Sequence, residues 1–179
     1  MPNWCENTIT FDRDVDDNFQ LIAAFRTAKP FQLIRPCPQD LSAEGAHTYG
    51  GDNAEAQDNL RAQLLDTYGY ENAYEWHIAK WGTKWDACDI DEQGDNHFYF
   101  STAWSPPLAL YEYIAKAHPG ARFEFWFEEG GCQFAGEGYV SDGEFRCEDI
   151  PGSWESEQIE PTTTSGSVVI GSETRPKLP

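Results

Sequence analysis

The sequence predicts an α+β fold in which an antiparallel sheet carries helices against one face. Three observations lead there. Residues 123–128 alternate strictly, with Phe123, Phe125 and Phe127 on one side and Glu124, Trp126 and Glu128 on the other, the period of two expected when one sheet face is buried and the other wet. Two turn signals follow closely, Gly130-Gly131 and Ser141-Asp142-Gly143, and each is succeeded by another strand-like segment. Elsewhere apolar residues recur at helical spacing between short β-rich runs.

In chain order, Thr8, Ile9, Thr10 and Phe11 form a first strand. The acidic stretch 12–17 then opens a helix built on Phe19, Ile22, Ala23 and Phe25, because carboxylates favour a helix N-terminus. Lys29-Pro30 stops it. Residues 31–34 are a second apolar run, denied a central place in a sheet by Pro36 and Pro38. Residues 39–53 read as a loop. Leu60, Leu64 and Leu65 mark a helix over 54–68, and a further amphipathic segment over 72–81 sets Tyr74, Ile78 and Trp81 on one side; both helices are inserted between strands. Residues 97–103 form a strand with Phe98 and Phe100 on one face. Pro106-Pro107 opens a helix through Leu108, Tyr111 and Ile114, which ends at Pro119-Gly120. Residues 134–140 and 144–148 complete the meander, the last with Phe145 and Cys147 inward and Glu144, Arg146 and Glu148 outward. Residues 1–150 make one domain, and the Ser, Thr, Pro, Gly and Glu-rich residues 151–179 a flexible tail with Trp154 and 168–170 as its docking candidates.

Charge constrains function most. The 179 residues carry 31 Asp and Glu against 12 Lys and Arg, a formal net charge of −19. Such a surface repels nucleic acid and anionic lipid and attracts proteins that themselves hold phosphate. An aromatic content of 15% is too high for a disordered acidic segment, so the acid coats a folded body. No apolar stretch is long enough to span a bilayer, and the first residues lack a secretory pattern, which places the protein in the cytoplasm. Cys5, Cys37, Cys88, Cys132 and Cys147 have no zinc-ligand spacing and read as reduced core thiols.

Four blocks are distinctive: Met1-Pro2-Asn3-Trp4-Cys5-Glu6-Asn7, Trp81-Gly82-Thr83-Lys84-Trp85-Asp86-Ala87, Phe100-Ser101-Thr102-Ala103-Trp104-Ser105-Pro106-Pro107, and Phe127-Glu128-Glu129-Gly130-Gly131-Cys132-Gln133-Phe134-Ala135-Gly136. Through them residues 1–150 resemble the YubB-like proteins of phages and plasmids. That resemblance implies a ferredoxin-like sandwich encoded by mobile DNA. It brings no activity, cofactor or catalytic residue with it.

Several patterns compete for a role. Glu124 and Glu128 lie four residues apart on one strand face, about 13 Å, and Glu144 and Glu148 repeat that spacing, so together they form a lattice able to imitate a nucleic-acid backbone. Trp126 is the aromatic anchor among them. Asp89, Asp91, Glu92 and Asp95 make a second acidic patch. Residues 89–95 also open like a calcium loop, with Asp89 and Asp91 at its first and third positions and Gly94 at its sixth, but Phe100 stands where the bidentate Glu belongs, and a plain β-turn is the simpler reading. Trp81, Trp85 and Trp104 offer either a base-stacking platform or turn packing, with Gly82 ending a helix and the two flanking rings clamping the turn. The histidines His47, His77, His97 and His118 have no nucleophile or metal spacing around them, and acid around Cys132 dulls its thiol. The expected function is therefore binding and inhibition of a host nucleic-acid-handling protein by phosphate mimicry, with no catalysis, metal or cofactor. The alternatives are a docking module that uses its aromatic motifs, a single-strand binder, and an enzyme.

Overall fold

The computed structural model describes residues 3–43, 46, 53–94 and 96–153. Asp95, His47, Trp154 and the segment 168–170 lie outside them. Six strands form one antiparallel sheet: β1 (Trp4–Phe11), β2 (Cys88–Glu92), β3 (His97–Ala103), β4 (Phe123–Glu129), β5 (Phe134–Ser141) and β6 (Glu144–Asp149), in the spatial order β2-β3-β1-β4-β5-β6. Helices α1 (Asn18–Phe25) and α5 (Leu108–Ala117) follow β1 and β3, which is the ferredoxin-like βαββαβ pattern extended by β5 and β6. Helices α2 (Pro30–Ile34), α3 (Ala54–Tyr68) and α4 (Ala73–Lys80) are inserted between α1 and β2, with a 3-10 turn at Gln39–Ser42.

One face of the sheet and the helices share the core. Cys5, Asn7, Ile9 and Phe11 of β1, Phe98 and Phe100 of β3, and Phe123, Phe125 and Phe127 of β4 are buried against Leu21, Phe25, Leu110, Tyr111 and Ile114. Phe11, Phe25, Phe98 and Phe100 pack ring against ring at centroid distances of 5.3–6.2 Å, in the tilted and edge-on geometries aromatic pairs prefer. Phe125 and Phe127 stand opposite Gly138 and Gly136 of β5, so each large ring occupies the space its partner leaves empty. A Cβ on Gly138 would lie 2.6 Å from Phe125 Cζ and 2.0 Å from the Arg146 carbonyl oxygen. Asn7, fully buried, is satisfied by donating from Nδ2 to the Cys5 carbonyl at 2.8 Å and to Thr102 Oγ1 at 2.9 Å.

Some elements differ from the sequence expectation. Residues 30–34 are helical. Pro30 fits the first helical position, and the Asp86 carboxylate caps the free amides by accepting from Phe31 N–H at 2.9 Å and Gln32 N–H at 3.0 Å. The aspartate lies more than fifty residues on, so no local signal announces the helix. Residues 88–92 form an edge strand instead of a plain turn, with a register shift between Cys88 and Asp91 and Asp89 at φ 52°. In α4 it is Ala73 and Trp76 that are buried, whereas Tyr74 and Ile78 face outward. Gly82 does end α4, at φ 93°, but only Trp81 packs there, stacked on His77 at 4.0 Å; Trp85 turns outward. Cys147 and Cys132 are exposed, while Cys5 and Cys37 sit in the core. Burial pushes the Cys5 thiol up to about 12 and the Cys37 thiol to about 11.

Candidate functional site

The face of the sheet turned away from α1 and α5 is built by the strand positions that alternate with the core. One register row crosses all six strands: Asp91, Tyr99, Thr8, Trp126, Glu137 and Glu148. A second runs His97, Thr10, Glu124, Tyr139 and Arg146. A third contains Ser101, Glu6, Glu128 and Ala135. Thr8, Thr10, Glu124, Trp126, Glu137, Tyr139 and Glu148 surround a shallow depression of about 390 Å³.

The charge on the strands is lopsided. Within the six of them Glu6, Asp89, Asp91, Glu92, Glu124, Glu128, Glu129, Glu137, Glu144, Glu148 and Asp149 stand against no Lys and a single Arg, Arg146, and that guanidinium donates to Glu144 at 3.2 Å. Other cations are engaged elsewhere: Arg26 with Glu92, Arg122 with Asp142, Lys116 with Glu112 and Arg61 with Asp58. Among the described residues, no hydrogen bond or ion pair reaches the carboxylates of Glu124, Glu137 or Glu148. Two like-charged pairs also stand directly opposite each other in register, Glu6 with Glu128 and Glu137 with Glu148. Direct opposition of like charges opposes strand pairing by a few tenths of a kcal/mol up to about 1.

The sequence candidates separate under this geometry. Glu124, Trp126 and Glu148 line the depression together. Glu128 is half-buried at its margin, its carboxylate accepting from the Ser153 hydroxyl at 2.8 Å and the Ser153 N–H at 3.1 Å. Glu144 lies at the far end of β6, opposite Ser141. The four glutamates do not make two adjacent columns, because β5 intervenes between β4 and β6 and sets them about 10 Å apart. That intervening strand supplies Glu137, which the sequence reading passed over. Its signal is masked: of the core-facing positions Phe134, Gly136 and Gly138, two are glycines, which hides the alternation that leaves Glu137 and Tyr139 outward.

The second patch divides. Asp91 joins the open face opposite Tyr99, while Glu92, opposite the buried Phe98, points to the helix side and takes a bidentate contact from Arg26 at 2.6 and 2.9 Å, which holds its carboxyl below the usual range. Asp89 is exposed on the bulge, and Asp95 lies outside the described residues. No group of three or more potential metal ligands occurs among the described residues. No helix of the described chain is long and apolar enough to cross a membrane.

Glu129 breaks the alternation for a structural reason. It is buried at the end of β4, and its carboxylate accepts from the N–H groups of Gly131 at 2.9 Å and Cys132 at 2.5 Å, closing the β4–β5 turn. Burial disfavours its charge, but these donors together with Asn3 outweigh burial and hold the carboxyl below its ordinary value. The Cys132 thiol is pushed up by its hydrogen bond to Glu129.

Aromatic residues gather at one end of the sheet. Trp4 and Trp85 are each 44% exposed with ring centroids 6.2 Å apart, and Lys84 Nζ lies 4.6 Å from the Trp85 ring. Trp104, 45% exposed, holds φ 72°, a costly backbone conformation for a bulky side chain. Trp81 is buried, so Trp81, Trp85 and Trp104 form no common platform.

Fold and face together define a ferredoxin-like α+β domain with an acidic sheet surface that no helix among the described residues covers. Residues 80–168 match the family model described as the ferredoxin-like domain in Api92-like protein. That segment takes in the Trp-Gly-Thr-Lys-Trp block and all of β2 to β6. The crystal structure of a protein api92 from Yersinia pseudotuberculosis is similar over 86% of this chain and 99% of that one, with a TM-score of 0.46 and 11% sequence identity. No curated protein matches the chain.

Proposed function

We propose that the open sheet face docks on the phosphate-binding surface of a nucleic-acid-handling protein and occupies it in place of a backbone. The observation that carries this reading is the pair Glu137 and Glu148, like charges set directly opposite with no cation between them among the described residues. A fold that only needed solubility gains nothing from spending strand-pairing energy in this way, whereas a partner's basic side chains would turn the repulsion into attraction. The resemblance to YubB-like proteins of phages and plasmids points to the class of target: host proteins that meet incoming DNA, such as restriction or CRISPR effectors. Inhibition then follows from competition for one surface. Ferredoxin-like sheets that stack single-stranded bases need positive charge beside the rings, and among the described residues the strands bring no Lys and a single Arg, Arg146, to this face, which disfavours direct nucleic-acid binding.

The test is competitive capture. Immobilised full-length protein is exposed to host lysate at low salt and then washed with duplex DNA. The proposal expects nucleic-acid-binding proteins to be held, released by the DNA, and not held by a Glu124→Lys, Glu137→Lys, Glu148→Lys variant. Proteins that are retained through the DNA wash and by the variant contradict it. That outcome would favour the second reading, docking through the exposed Trp4, Trp85 and Trp104 end of the sheet.

A further inference from the structure

Resting on the acidic-face reading, we infer that the depression around Trp126 takes an arginine side chain of the partner, in preference to lysine. A ring of carboxylates alone would accept any cation. What distinguishes this one is the half-buried indole at its centre. Trp126 lies between Thr8 and Glu137 in its register row, and Glu124 and Glu128 are the next outward residues on its own strand. Tyr139 lines the same depression, opposite Glu124.

A planar guanidinium matches both parts of such a site. It stacks over an aromatic ring with weak loss of hydration, and its N–H groups form a fork that two carboxylates can share. A lysine ammonium is a compact, strongly hydrated charge with no plane to stack. The fold already uses this contact internally: Arg35 Cζ lies 4.3 Å from the centre of the Tyr113 ring. Beside the depression Arg146 stands opposite Tyr139 and donates to Glu144, which leaves Glu137 and Glu148 for an incoming group.

Titration of the full chain with octa-arginine and octa-lysine, followed by calorimetry at one moderate salt concentration, tests the inference. The wild-type protein is expected to bind octa-arginine about fivefold more tightly than octa-lysine beyond any preference left in Trp126→Leu. Trp126→Phe should retain part of the excess and Trp4→Leu all of it. Should Trp126→Leu fail a thermal-unfolding check, Glu137→Gln, Glu148→Gln serves instead and should lose the same excess. An arginine-to-lysine ratio unchanged by these variants overturns the inference while leaving the acidic-face reading standing. Absence of binding by either peptide removes that reading, and this one with it.

Discussion

Glu137 and Glu148 face each other directly across the β5–β6 ladder, and neither carboxylate meets a cation among the described residues. The pair sits on the sheet face that the helices leave open, in the same row as Trp126. Most carboxylates with structural work to do in this protein have found donors: Asp86 at the start of α2, Glu129 at the β4–β5 turn, Glu92 on Arg26. The contrast separates acid that builds the fold from acid that the fold merely tolerates.

Neutralising one member of the pair should therefore strengthen the isolated protein. Glu137→Gln is expected to raise stability by about 0.5 kcal/mol, a rise in Tm of roughly 2 °C, measured by thermal unfolding at low salt. The gain should shrink as salt is added, because exposed charges are screened. A loss of stability would mean that Glu137 has a structural partner.

Gly138 should not tolerate a side chain. Alanine there would bring Cβ within 2.6 Å of Phe125 Cζ and still closer to the Arg146 carbonyl, so that both the β4 ring and the β6 backbone would have to give way. Overpacking of this kind costs about 1–3 kcal/mol, readable by denaturant unfolding as a lower midpoint. An unchanged midpoint would show that β6 is free to move away.

The Glu129 turn predicts a pH signature. The folded carboxyl lies below its ordinary 4.5, so its contribution is fully present above that pH and is lost as pH falls through the folded value. The stability difference between the wild-type protein and Glu129→Gln should shrink on acidification below about pH 4.5. A difference independent of pH would place the charge of Glu129 outside the energetics of the turn.

Thiol labelling should resolve the cysteines into classes. Cys132 and Cys147 are exposed and should alkylate in the folded protein, Cys88 more slowly, and Cys5 and Cys37 only on denaturation. Mass spectrometry of peptides after timed labelling reads the order. Early modification of Cys5 would contradict the burial of β1.

The sheet was legible in the sequence where alternation was strict: the Phe123 to Glu128 segment carries the core and the wet face in six residues. Legibility failed where the determining contact is remote or the marker residue is missing. Helix α2 depends on Asp86, β2 on pairing with Tyr99 and Phe98, and the outward position of Glu137 on glycines that show no hydrophobic face. Glu124, Trp126 and Glu148 could be named from pattern alone because they lie on strands whose periodicity is plain. Their grouping with Glu137 needed the strand order, which no local pattern encodes.

Amide chemical-shift mapping with the isotopically labelled full chain and octa-arginine tests the central claim most directly. The account predicts that the largest changes fall on Thr8, Thr10, Glu124, Trp126, Glu137, Tyr139 and Glu148 and fade as salt rises. Changes confined to the helical side, or to the Trp4 and Trp85 end of the sheet and indifferent to salt, would contradict it.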